Sequence, residues 1–203
     1  MSPDGLAIGE DGEPRCGWGL SAPGYVAYHD DEWGRPIADD RGIYERLTLE
    51  AFQSGLSWLT ILRKRENFRA AFDDFDFERV AGYGKRDFER LMADAGIVRN
   101  RAKIEAAIAN ARAAREMAAA GESLAAVAWS FRPEREVAPS SLGDVPATTP
   151  ESKALAKELK RRGFRFVGPT TAYALMQAVG IVNDHLAGCV ARDAVEAERR
   201  LVT

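Results

Sequence analysis

The sequence has 203 residues, 46% of them hydrophobic and 29% charged, enough to pack a core and solvate its surface, so a disordered or fibrous chain is excluded. Lys and Arg number 28 against 31 Asp and Glu, a net charge of -3, which rules out a uniformly basic nucleic-acid binder but leaves local patches open. At ~150 residues per domain, this length means one large domain or two small ones sharing a core.

Residues 1–15 are rich in Gly, Pro and acid without any period and read as a flexible, loosely held extension; residues 16–203 read as a single all-helical domain. The acidic start, with Asp4, Glu10, Asp11 and Glu13, lacks the basic and apolar order of a signal peptide. The longest apolar stretches, such as Leu124 to Ala128, fall far short of the ~20 residues of a membrane helix, so a cytoplasmic protein without membrane contact is expected. Ile43, Leu47, Ala51 and Phe52 recur at helical spacing between Gly42 and Gly55, and Ser57 is placed to cap a second helix through Trp58, Ile61, Leu62 and Phe68. Further helical patterns follow at Phe77 to Val80, Lys85 to Ala95, Arg101 to Met117, Leu124 to Trp129, Glu151 to Arg162, Pro169 to Val179 and from His185 onward. No convincing alternating strand is found. The one long loop, Arg132 to Pro150, reads as a surface excursion between two helical blocks.

The chain holds two Cys and two His. His185 and Cys189 share one face of the expected last helix, while Cys16 and His29 fall in an expected N-terminal loop. Two readings stand on spacing alone. Either the thiols and imidazoles are idle, or they form a closed Cys2His2 zinc site, structural because no position is left for water.

Lys153, Lys157, Lys160, Arg161, Arg162 and Arg165 oppose only Glu158 within that stretch, an anion-attracting patch in an acidic protein. The patch ends in Arg162-Gly163-Phe164-Arg165-Phe166-Val167-Gly168-Pro169-Thr170, where Gly163 suits a helix C-cap and Pro169 the first position of the next helix. A glycine turn at a helix N-terminus seats a phosphate on free N–H groups, and it grips backbone rather than sequence. The competing reading is an ordinary helix turn beside a solvated basic face.

Trp18, Tyr25, Tyr28, Trp33 and Trp58 gather near the N-terminus, either as core or as a slot for a flat heteroaromatic guest. Glu50 discriminates: buried among Leu49 and Ala51 it needs a cationic partner, whereas exposed it pairs with Arg46 along the helix.

Taken in order, Arg15-Cys16-Gly17-Trp18, Tyr28-His29-Asp30-Asp31-Glu32-Trp33-Gly34, Leu49 to Trp58, Lys160 to Gly168 and Val182-Asn183-Asp184-His185-Leu186-Ala187-Gly188-Cys189 closely resemble the DNA-3-methyladenine glycosylase I family. The resemblance implies an all-α helix-hairpin-helix DNA glycosylase fold in which a structural zinc on Cys16, His29, His185 and Cys189 joins the N- and C-terminal segments. It implies a DNA-phosphate hairpin, with Arg162, Gly163, Phe164, Phe166, Gly168 and Thr170 as contacts. It also implies a base pocket of Glu50, Tyr28 and Trp58, walled by Trp18, Tyr25 and Trp33, in which Glu50 is the catalytic and recognition residue. The slot of the superfamily's catalytic aspartate reads Asn183, and that of its lyase lysine reads Thr170 or Thr171. A monofunctional enzyme without strand cleavage is therefore implied.

N3-methylation makes adenine cationic and its glycosidic bond weak, so the implied activity is excision of 3-methyladenine from double-stranded DNA by a monomer. Asp184 is either a helper in that reaction or an orienter of His185. A zinc-stapled DNA-binding module without catalysis is the rival reading. It leaves the aromatic cluster and Glu50 without a use, and a four-ligand zinc disfavours a metal hydrolase.

Overall fold

The computed structural model describes residues 5–134 and 136–202. Ten α-helices account for most of the described residues: α1 Tyr25–Asp31, α2 Asp40–Gln53, α3 Trp58–Ala71, α4 Phe77–Ala81, α5 Lys85–Ala93, α6 Arg101–Ala119, α7 Leu124–Trp129, α8 Pro150–Arg161, α9 Pro169–Ala178 and α10 Arg192–Arg199. Their starts follow local chemistry. Asp39, Ser57, Asp76, Asn100, Ser123 and Thr149 each accept a backbone N–H of the helix they precede. Helix α2 is buried on almost every side, with Ile43, Tyr44, Leu47, Leu49 and Phe52 fully enclosed. It packs against α9, α6, α3 and α7, and one continuous apolar core runs from Ile43 to Val182, drawing on both helical blocks. The C-terminal end of α2 is fixed from across the core: Lys103 Nζ donates to the carbonyls of Phe52 at 2.8 Å and Ser54 at 2.5 Å.

Three sequence expectations are corrected. Residues 5–15 are not a loose extension: Leu6–Ile8 (β1) and Pro14–Cys16 (β2) pair antiparallel, a two-stranded ribbon too short to show alternation. Residues 1–4 lie outside the described residues. His29 stands on α1 rather than in a loop. His185 to Cys189 form turns rather than a helix, which begins only at Arg192. There the chain bends to bring Cys189 Sγ within 3.5 Å of the His185 ring, and Gly188 takes a left-handed φ of 84°.

The long loop ahead of α8 folds back on the C-terminal segment. Glu136 accepts the Asn183 N–H at 3.0 Å and pairs with the buried Arg199, while the Ala187 N–H donates to the Pro139 carbonyl at 2.8 Å. Gly180 closes the other side. Its φ is 77°, and a Cβ there would sit 2.5 Å from the Gly34 carbonyl, so only glycine lets the turn after α9 approach the backbone that carries Trp33. No described helix is long and apolar enough to cross a membrane.

Candidate active site

Cys16 at the end of β2, His29 on α1, and His185 and Cys189 on the turn before α10 converge with their ligand atoms all within 4.8 Å of one another, every residue buried. His185 Nδ1 lies 3.2 Å from His29 Nε2, and Cys189 Sγ lies 3.5 Å from each of these nitrogens. Zinc bonds of ~2.0 Å to nitrogen and ~2.3 Å to sulfur at tetrahedral angles give edges of about 3.3 Å and about 3.6 Å, so the donor set fits that ion. The outward ring nitrogens are already committed: His29 Nδ1 to Asp30 at 2.6 Å and His185 Nε2 to the Trp33 carbonyl at 3.0 Å. That fixes both inward nitrogens as the free lone pairs a cation needs. The Leu186 N–H donates to Cys16 Sγ at 3.3 Å. Contact between the thiols pulls Cys189 well below its ordinary range and pushes Cys16 up.

The same residues brace an aromatic wall. Trp18 packs edge-on to His29, with ring centroids 5.2 Å apart, and Trp33 to His185 at 4.7 Å. Trp18 in turn meets Trp33 at 5.0 Å and Tyr25 at 5.6 Å, and Tyr28 meets Trp58 at 5.3 Å. These five rings and Glu50 line one cavity of about 390 Å³. Sequence reasoning missed Ser21, Gln53, Ala174 and Gln177, which complete its lining because α9 crosses α2 at this point. Their only sequence signal was position: Gln53 is one helical turn from Glu50, and Gln177 lies one turn beyond Ala174. The Gln177 Nε2 donates to Asp184 at 2.8 Å, and the Tyr173 hydroxyl donates to the same oxygen at 2.7 Å. Asp184 thus orients a side chain of the cavity wall.

Glu50 is 7% exposed and, among the described residues, its carboxyl takes part in no hydrogen bond. The exposed pairing with Arg46 does not occur, because Arg46 turns to Glu32 at 3.0 Å and Arg65 clasps the same carboxylate. Burial pushes Glu50 up to about 8, with Arg46 pulling weakly the other way. Trp58, on the same cavity wall, keeps its indole Nε1 buried and unpartnered.

The helix that contributes Ala174 and Gln177 begins at the glycine hairpin. Gly163 closes α8 with φ 93°, and the Phe164 N–H reaches back to the Leu159 carbonyl at 3.0 Å. Asn110 clamps Arg165 by both backbone groups, at 2.7 Å and 3.1 Å. Gly168 caps α9 with no side-chain acceptor, so the first N–H groups of α9 are free of a capping side chain, and nothing lies within 4 Å of where a Gly168 Cβ would point. Two expected contacts are corrected. Phe164 is 3% exposed and belongs to the core, because the hairpin needs an apolar anchor. Arg162 is ion-paired with both Glu158 and Glu122, the latter reaching over from the turn after α6, so its charge is neutralised within the protein. Lys153, Lys157, Lys160 and Arg165 remain exposed, as do Phe166 and Thr170.

A slot lined by aromatic rings and a buried acid, walled by the helix that begins at the glycine hairpin, has the shape and chemistry to hold a flat heteroaromatic base. Comparison with known proteins agrees. The sequence profile of the methyladenine glycosylase family matches residues 18–192. The DNA-3-methyladenine glycosylase 1 of Escherichia coli is 50% identical over 178 residues, which cover 86% of this chain and 95% of that protein. A crystal structure of a 3-methyladenine DNA glycosylase I superposes with a TM-score of 0.84 at 50% identity, over 88% of this chain and 99% of that one. A tyrosine-to-phenylalanine variant of another, solved in complex with 3-methyladenine, superposes with a TM-score of 0.82 at 34% identity, over 88% and 97% of the two chains. The chain belongs to the methyladenine glycosylase family, and it is an enzyme.

Proposed function

We propose that this enzyme hydrolyses the N-glycosidic bond of 3-methyladenine in alkylated double-stranded DNA and does not cleave the strand. The observation that carries this is Glu50, an unpartnered acid enclosed by aromatic rings. A carboxylate in a dry slot favours a cationic flat guest and penalises neutral adenine, which leaves the charge unmatched. The alkylated base is flipped into the cavity, Trp58 and its neighbours lie against its ring, and Glu50 accepts from its N–H edge. The methylated base leaves as a neutral molecule without a proton donor, so most of the driving force resides in the substrate. Water then completes the hydrolysis at the sugar.

The hairpin from Gly163 to Gly168 grips the phosphates through the start of α9, with Arg165, Phe166 and Thr170 at its exposed surface. Cys16, His29, His185 and Cys189 hold one zinc, which supplies a rigid cross-link and no reactive position. A module that binds DNA without chemistry would have no need of Glu50. Incubation with methylated DNA and identification of the released base tests the assignment. Free 3-methyladenine from the wild type, and its loss in Glu50→Gln, is the expected result.

A further inference from the structure

The hairpin β1–β2 contains one of the four cluster residues and contacts the immediate neighbours of two others. Cys16 is the last residue of β2. The Pro14 carbonyl accepts the N–H of Val190, the neighbour of Cys189, at 2.8 Å, and Leu6 packs over Gly188. The third link is a chain of charges. Asp11 in the hairpin turn takes both ends of the Arg15 guanidinium, at 2.8 Å and 2.7 Å; the Arg15 Nε donates to Asp30 at 2.9 Å; and Asp30 accepts from His29 Nδ1 at 2.6 Å. Arg15 and His29 are buried and Asp30 is largely so, whereas Asp11 is half exposed. Gly9 is fitted to this chain, since a Cβ there would lie 2.6 Å from Arg15 Nη1 and 2.7 Å from Asp11 Oδ1. The turn that carries Gly9 and Asp11 lies ahead of residue 18, where the matched family region begins.

We infer that the N-terminal hairpin is a retention clasp for the metal: Asp11, through Arg15 and Asp30, fixes the His29 ring, and its strands hold Cys16 and Cys189 in place. The inference rests on reading the cluster as a zinc site. Release of a buried ion requires one ligand to swing away, and each link raises the cost of that motion for His29 or for the Cys189 turn. Asp11, Arg15 and Asp30 are positioning residues, since none can reach the ion itself.

The test is the rate at which zinc passes from the purified, zinc-loaded protein to an excess of a colorimetric chelator. Loss of an outer partner typically weakens a metal site by ~10- to 100-fold, so Asp11→Ala should release zinc about tenfold faster, and Gly9→Ala, which wedges Arg15 from Asp11, should do the same. Glu105→Gln, which breaks the remote Arg101–Glu105 pair on α6, should leave the rate unchanged. Amide exchange separates a clasp from general loosening: protection should fall around Cys16, His29 and Cys189 but hold in α2 and α6. Wild-type release rates in both Asp11→Ala and Gly9→Ala overturn the clasp, as does an equal loss of protection throughout the core. A wild-type protein that takes up no zinc overturns the metal reading, and the clasp with it.

Discussion

Glu50 carries opposing demands. Its carboxyl titrates near 8 in the folded protein because burial disfavours the charge, against 4.5 for an ordinary glutamate. If the charged form pairs with a cationic base, as proposed, kcat/KM, which reports the free enzyme, should rise about tenfold per pH unit below 8 and level off above it. Glu50→Gln should flatten that profile and lower affinity for the base by one to two orders of magnitude, corresponding to ~1.5–3 kcal/mol for a charge-assisted bond. Stability runs the other way. A folded-state value above the unfolded one gives stability that is complete below about 4.5 and is lost as the pH climbs through 8. The Gln variant should therefore match the wild type near pH 4.5 and exceed it by a few kcal/mol at pH 9, as read by denaturant titration at both values. A wild-type stability independent of pH over this range would show that Glu50 is not buried as a lone acid.

The hairpin between α8 and α9 makes its own demands as an element. Phe166 holds a left-handed φ of 56° and is 42% exposed, a strain of ~1–3 kcal/mol in a large apolar residue left partly in solvent. Strain of this kind persists where a side chain is needed outside the fold. Phe166→Gly should relieve it, raising the thermal midpoint by a few degrees while weakening binding to duplex DNA; a gain or loss in both properties together would contradict this. Gly168→Asp meets no steric obstacle, because the space beyond Gly168 is open. It should weaken DNA binding evenly across sequences and reduce the salt slope by about one for each phosphate that the hairpin no longer grips, measured by fluorescence anisotropy at several salt concentrations. The pairing of Arg162 with Glu122 and Glu158 moves the expected electrostatic contribution to Arg165 and the α8 lysines. Arg165→Glu should therefore reduce affinity without loosening α8.

At the scale of the molecule, the Cys2His2 cluster brings β2 and α1 to the turn before α10, and an ion held there would close a loop of nearly the whole chain. Such a link would remove much of the freedom of the unfolded chain and, through the contacts of His29 with Trp18 and of His185 with Trp33, would brace the wall of the slot. Metal analysis of protein purified without added zinc should find one ion per chain. Cys189→Ser should lower the thermal midpoint by ~10 °C, as expected for a loss of several kcal/mol in a chain of this size, while each molecule still folded retains most of its excision rate. A zinc-free protein with an unchanged midpoint would remove the site from the stability of the fold.

The helices α2 to α9 were legible in the sequence because capping residues and a 3.6-residue period are local properties, set by neighbours along the chain. The four ligands, the five rings and Glu50 were legible as residue types whose chemistry has few uses. Their arrangement was not. A short ribbon such as β1–β2 has too few residues to show a period, and its strands are held by Arg15, Asp30 and Val190, through interactions made only on folding. The turn from His185 to Cys189 mimics a helical spacing, but the backbone there, with Gly188 at a φ of 84°, is not helical. Whether Arg162 faced solvent or Glu122, whether Phe164 anchored the hairpin or met DNA, and whether Glu50 met Arg46 depended on which elements lay alongside. Sequence determined the local helices and the chemical inventory; tertiary structure decided which charges were neutralised, because burial and pairing depend on how distant parts of the chain come together.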